Sequence, residues 1–190
     1  MASVSALFAI PLGFLLTLVT FPGVVVHELA HKRACDLVGV EVLEVRYFRF
    51  GNPAGYVRHR EPARYRDSFL ISVAPFVGNT LLAFVCLLGF AALHTETLVL
   101  DVDPSHRLAV TWFSGWLGLS IGIHAFPSTG DANTLWKRSR AEWRRAPIVL
   151  LGLPVVAGIY VVNLLSRLYL DVLYALGLLV LALALLGGFQ

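Results

Sequence analysis

The sequence predicts an all-α polytopic membrane protein that carries one small β-hairpin. Its composition is 57% hydrophobic and only 14% charged, whereas soluble proteins average about 25% charged residues. Long apolar stretches recur along the chain, and four of them reach the ~20 residues that a helix needs to cross the hydrocarbon core. Lysine and arginine are concentrated in two of the segments between these stretches. We therefore expect about five transmembrane helices.

The predicted spans cover most of the 190 residues. Four are of full length and the last is shorter: residues 6–26, 68–93, 108–126, 147–165 and 170–186. Pro22 and Gly23 predict a bend near the end of the first helix. Next comes "VEVLEVRYFRF", rich in β-branched and aromatic residues, then the turn-forming "GNPAG" and "YVRHR". This pattern predicts a β-hairpin over about 40–60.

These elements predict two parts of the chain. Residues 1–146 form a core in which three helices, at about 6–36, 66–93 and 107–126, surround the site described below. Residues 147–190 form a C-terminal hairpin of two helices.

The basic residues predict the orientation in a cell membrane. Eight Lys and Arg lie between the first and second spans, five lie between the third and fourth, and two lie on the opposite side. Because positive charge is retained on the inner side, the multi-pass chain should have its N-terminus outside and its basic loops, 32–66 and 127–147, in the cytoplasm. Topology thus explains the arginines, and we expect no nucleic-acid partner.

The stretch "HELAH" at residues 27–31 places ionisable side chains at the inner end of the first span. Residues four apart share one face of a helix, so His27 and His31 can turn towards one metal ion. Glu28 lies about 100° round the helix, beside the metal. A zinc hydrolase needs this arrangement, with a water on the open zinc position and the carboxylate as base. The alternative interpretation is that these side chains bind no metal and only extend from the end of the helix towards interfacial water.

A catalytic zinc site needs a third protein ligand. The extended motif HExxHxxGxxH is absent, because "KRACD" follows His31. Two residues near the cytoplasmic end of the third helix are at a suitable depth, Asp131 and His124. Cys35 lies one turn beyond His31 on the same face, but thiolates are less common in catalytic sites. The acidic and histidine side chains of the hairpin are expected to be solvated.

Together these features resemble the site-2 protease family of intramembrane zinc metalloproteases. The resemblance covers about residues 5–140: "HELAH" ending a helix, the hairpin, a second helix with "APFVGN", and a third helix followed by "PSTGD". It implies a zinc metalloendopeptidase that holds one Zn²⁺ per chain and cleaves membrane-spanning proteins near the cytoplasmic side. It also implies that Asp131 is the third ligand and that Asn79 lies near the substrate cleft.

The chain departs from the family pattern at both of these positions. Gly130 precedes Asp131 instead of following it, and one extra residue separates Pro75 from Asn79. His124 is then either a partner that supports the transition state or an alternative ligand. The partners expected are the lipid bilayer and a single-span protein substrate. The competing hypothesis is a non-catalytic metal-binding membrane protein or transporter, for which Glu28 would be dispensable.

Overall fold

Over the residues that the structure describes, the fold is mostly helical, with one two-stranded antiparallel sheet, as the sequence predicts. The structure, a computed structural model, describes residues 15–144 and 149–187. Residues 15–19 are helical and precede the elements that follow. These are α1 (Phe21–Val38), β1 (Val42–Arg46), β2 (Tyr56–His59), α2 (Tyr65–His94), α3 (Pro104–Ile123), α4 (Thr129–Glu142), α5 (Val149–Leu165), a 3₁₀ turn (Ser166–Leu168) and α6 (Leu170–Leu185).

The helix bounds predicted at 66–93 and the span predicted at 170–186 agree with α2 and α6 to within one residue at each end, whereas the predicted span 68–93 starts three residues late. The third helix begins and ends three residues earlier than predicted. Its start is set by Asp103, which accepts a hydrogen bond from the backbone N–H of Ser105 at 2.9 Å, and by Pro104 in the first turn. Residues 6–14 of the first predicted span, and the start of the fourth, lie outside the described residues.

The first helix is interrupted at Thr20, next to the expected bend. The Thr20 hydroxyl donates to the carbonyl of Leu16 at 2.7 Å, and α1 begins at the following residue. Just beyond, a Cβ atom on Gly23 would lie 2.0 Å from the carbonyl oxygen of Ser120. Only glycine permits so close an approach, so the backbones of α1 and α3 meet here. This crossing brings the histidines of α1 beside the end of α3.

Asn79 joins the three core helices. Its side chain is fully buried in the middle of α2. The amide nitrogen donates to the carbonyl oxygens of Gly23 at 3.3 Å, Ile121 at 3.3 Å and His124 at 3.0 Å. The amide therefore links α2 to both α1 and α3 at the depth of the predicted site.

The hairpin follows α1 as predicted. Val45 of β1 pairs with Val57 of β2 in an antiparallel register. Glu44 accepts a hydrogen bond from the Tyr56 hydroxyl at 2.6 Å and pairs with Arg58 at 3.2 Å. These contacts lower the pKa of Glu44, with the Tyr56 hydrogen bond as the largest cause. The carboxylate is thus partnered on the surface of the hairpin.

Among the residues that the structure describes, α2 is by itself long and apolar enough to cross a membrane. The segments Gly152–Leu165 and Leu170–Leu185 meet the same criterion only as a pair, which is bent by 101° at the break between them. Helix α1 carries four charged residues, Glu28, Lys32, Arg33 and Asp36. One helix thus meets the length and composition that a membrane span requires, and five separate spans stay a prediction.

Helix α4 was not expected, because residues 127–147 read as a loop. Ser128 and Asp131 form a reciprocal capping box that starts the helix. Its buried face presents Ala132 and Leu135 to an apolar cluster that also contains Tyr65 of α2 and residues of α5: Val149, Val156 and Ile159. The helix is thus held between α2 and α5, with its first turn directed towards α1.

Candidate metal centre

His27, His31 and Asp131 converge on one point. Each offers a ligand atom, and these atoms all lie within 4.8 Å of one another. The imidazoles of His27 and His31 have ring centroids 4.9 Å apart, one helical turn from each other on α1. The Nε2 atom of His31 lies 3.6 Å from Oδ1 of Asp131. The convergence predicted for these three residues is present in the structure.

Backbone carbonyl groups orient both imidazoles. The Nδ1 atom of His27 lies 2.8 Å from the carbonyl oxygen of His124, and Nδ1 of His31 lies 2.9 Å from that of Ile71. A carbonyl oxygen can only accept, so each Nδ1 carries a proton, and Nε2 is the ring nitrogen left to face a metal ion. Metal-binding histidines are fixed in this way by a second hydrogen bond. Both rings are therefore prepared to act as ligands.

The two carboxylate oxygens of Asp131 make different contacts. Its Oδ2 atom accepts hydrogen bonds from the backbone N–H of Ser128 at 2.8 Å and from the Ser128 hydroxyl at 2.6 Å. Its Oδ1 atom faces His31. The sequence placed Asp131 near the end of the third helix, but it lies in the first turn of the separate helix α4. The Ser-x-x-Asp spacing is the signal that could have revealed this helix start.

Glu28 lies beside the histidines and beneath the turn of the hairpin. The residue is only 8% exposed. A Cβ atom on Gly55 would lie 2.7 Å from Cγ of Glu28, so the hairpin backbone rests directly against this side chain. Glu28 nevertheless lines an open cavity, together with His27. Glu28 is therefore part of the cavity wall although little of its surface is exposed.

The cavity has a volume of about 360 Å³. Residues 52–55 of the hairpin form one wall, and the segment from His124 to Ser128 forms another. The far wall comes from the break between α5 and α6, where three polar residues line the cavity: Asn163, Ser166 and Asp171. These three were missed, because no local pattern indicates that a bend will direct them towards residues of α1.

The remaining predicted residues surround the site without joining the three candidate ligands. His124 lines the cavity, its Nδ1 atom lies 3.0 Å from the carbonyl oxygen of Ser120, and its own carbonyl orients His27. Asn79 bonds that same carbonyl from the interior of the core. Cys35 is fully buried in an apolar cluster with Ala34 and Ile71. Roles for His124 and Asn79 in binding substrate stay predictions.

The chain matches no protein-family model, no curated protein and no solved structure. The chemistry of the centre is therefore inferred from its own residues.

Proposed function

We propose that the protein is an intramembrane zinc metalloendopeptidase that cleaves membrane-spanning proteins near the cytoplasmic side, similar to the site-2 protease family. The observation that carries this proposal is the convergence of His27, His31 and Asp131 within 4.8 Å, with Glu28 next to them in an open cavity. A metal site that only stabilised the fold would have no need of an acidic neighbour facing a cavity.

The donor set fits zinc. Two neutral imidazoles and one carboxylate form a common ligand set of catalytic zinc enzymes, which leaves one position open. When bound, the metal supplies Lewis acidity that makes water nucleophilic near neutral pH. The Oδ2 atom of Asp131 is occupied by Ser128, so Oδ1 is the atom available to the metal. We therefore propose one Zn²⁺ per chain.

Glu28 acts as the proton carrier in this proposal. Its carboxylate takes a proton from the attacking water and returns it to the departing amine. The peptide carbonyl under attack is hydrogen-bonded as long as the substrate stays helical, so the substrate must unwind locally. The cavity of about 360 Å³ has room for a short extended segment. The proposed substrate is a single-span membrane protein whose helix unwinds at the cavity.

The proposed placement in the membrane follows from the charges. Residues 32–66 and 127–147 lie in the cytoplasm, the N-terminus lies outside, and the metal centre lies near the inner end of α1. Single cysteines introduced at exposed Arg58 and Lys137 should react with an impermeant maleimide from one side, and one at Thr97 from the other. The starting variant lacks the two native cysteines. Labelling of all three from the same side would contradict this topology.

The decisive experiment is co-expression with tagged single-span proteins, comparing the wild type with Glu28→Gln. We expect this variant to keep its zinc and to lose about 10²–10⁴-fold in cleavage, the usual contribution of a general base. Glu41→Gln is the matched control, because Glu41 forms an exposed ion pair with Arg60 on the hairpin. Equal cleavage by wild type and Glu28→Gln would refute the mechanism. Stoichiometric zinc without any cleavage would favour the metal-binding or transporter hypothesis.

A further inference from the structure

The side chain of Asn163, on α5, binds the segment that precedes Asp131 of α4. The amide nitrogen of Asn163 donates to the carbonyl oxygen of Pro127 at 3.0 Å. Its amide oxygen accepts a hydrogen bond from the Thr129 hydroxyl at 3.2 Å. One amide group thus contacts the residues on both sides of Ser128.

Ser128 is the residue that binds Asp131. Its N–H and its hydroxyl both donate to Oδ2 of the carboxylate, at 2.8 Å and 2.6 Å. The position of Ser128 therefore sets the position of the carboxylate and the direction in which Oδ1 points. Hydrogen bonds thus join Asn163 to the two residues that flank Ser128, and Ser128 to Asp131, with the backbone as the link between them.

Helix α5 has other means of packing against α4. The apolar cluster holds the two helices together. The Tyr160 hydroxyl also donates to Oδ1 of Asn133 at 2.6 Å. If packing of α5 were the only purpose of Asn163, these contacts would already serve it. The amide differs from them in its location, since Asn163 lines the cavity that contains His27 and Glu28.

We propose that Asn163 is a positioning residue for Asp131, so that the docking of α5 completes the metal site. The amide fixes Ser128, and Ser128 fixes the carboxylate that the metal needs. Metal binding and α5 docking are then linked, and each strengthens the other. The inference rests on the proposed function only in taking Asp131 as a metal ligand, and it does not require that the protein is a peptidase.

The test compares Asn163→Ala with Tyr160→Phe, the matched control that removes a different hydrogen bond between the same two helices. Zinc affinity of the full chain in detergent is measured by competition with a chromophoric chelator. We expect Asn163→Ala to weaken zinc binding by about 10–100-fold, the usual effect of losing a group that orients a ligand. Tyr160→Phe should bind zinc as the wild type does, and the visible absorption of the Co²⁺-loaded protein should change in Asn163→Ala alone.

A second variant covers the case in which Asn163→Ala does not fold. Thr129→Val removes only the hydroxyl that donates to Asn163, at an exposed position. It should also weaken zinc binding, by a smaller factor than Asn163→Ala. Wild-type zinc affinity in Asn163→Ala or Thr129→Val would overturn the inference. If Asp131→Ala instead bound zinc with the same affinity as the wild type, the proposed metal centre would be refuted.

Discussion

Replacing Asp131 by Asn tests the metal centre most directly. The substitution keeps the size of the side chain and removes the charge of the third ligand. Structural zinc sites contribute about 10–16 kcal/mol through four ligands, which is roughly 3–4 kcal/mol for each. Loss of one ligand should therefore weaken zinc binding by about 10²–10³-fold.

The same substitution also weakens the start of α4. In the wild type Oδ2 accepts two hydrogen bonds from Ser128, and loss of a helix cap costs about 1 kcal/mol of folding stability. Asp103→Ala removes a comparable cap at the start of α3, where the carboxylate binds Ser105. We expect both variants to lose similar thermal stability in zinc-free buffer, and only Asp131→Asn to lose zinc affinity.

The assay is competition with a chromophoric chelator at a fixed detergent concentration, together with metal analysis of the purified protein. Zinc bound by Asp131→Asn with wild-type affinity would show that Asp131 is not a ligand. His124→Ala is then the informative variant, since His124 is the other candidate from the sequence and lines the same cavity.

Other predictions concern the fold and the metal. Gly23→Ala should lower the free energy of unfolding by about 3 kcal/mol, because its Cβ would lie 2.0 Å from the Ser120 carbonyl oxygen. Gly89→Ala is the control, because a Cβ there meets nothing within 4 Å. Thermal unfolding should show a loss of stability for Gly23→Ala and none for Gly89→Ala. Tyr56→Phe should raise the pKa of Glu44 towards its ordinary value, as measured by NMR titration; an unchanged pKa would contradict the contact. Because the folded-state pKa is depressed, the contribution of Glu44 to stability is present above its unfolded pKa and is lost as the pH falls through the folded value. Zinc-chelating buffer should lower the melting temperature of the wild type more than that of Asp131→Asn.

The predictions that the structure confirms come from local patterns. The spacing of His27 and His31 places both on one helical face whatever the rest of the chain does. The hairpin is encoded by its own β-branched residues and by the turn between its strands. The bounds of α2 follow from a long apolar run, which needs no partner to be recognised.

What could not be predicted depends on contacts between distant segments. Helix α4 was overlooked because its polar residues resemble a cytoplasmic loop, and its helical start depends on the pairing of Ser128 with Asp131. Asn163 belongs to no sequence motif. Its position next to the candidate metal centre depends on how α5 packs against the other helices. Asp131 itself was named through a family resemblance, while the residues alone left His124 as an equal candidate.

The arrangement of α1, α4 and α5 has a consequence for the order of synthesis. The histidines emerge early from the ribosome, Asp131 follows only after four further elements have been made, and the helix that covers α4 is made later still. A partly synthesised chain therefore carries His27, His31 and Glu28, but no complete metal site. Under the proposed function, we expect the nascent protein to be inert towards neighbouring membrane proteins until α5 has docked.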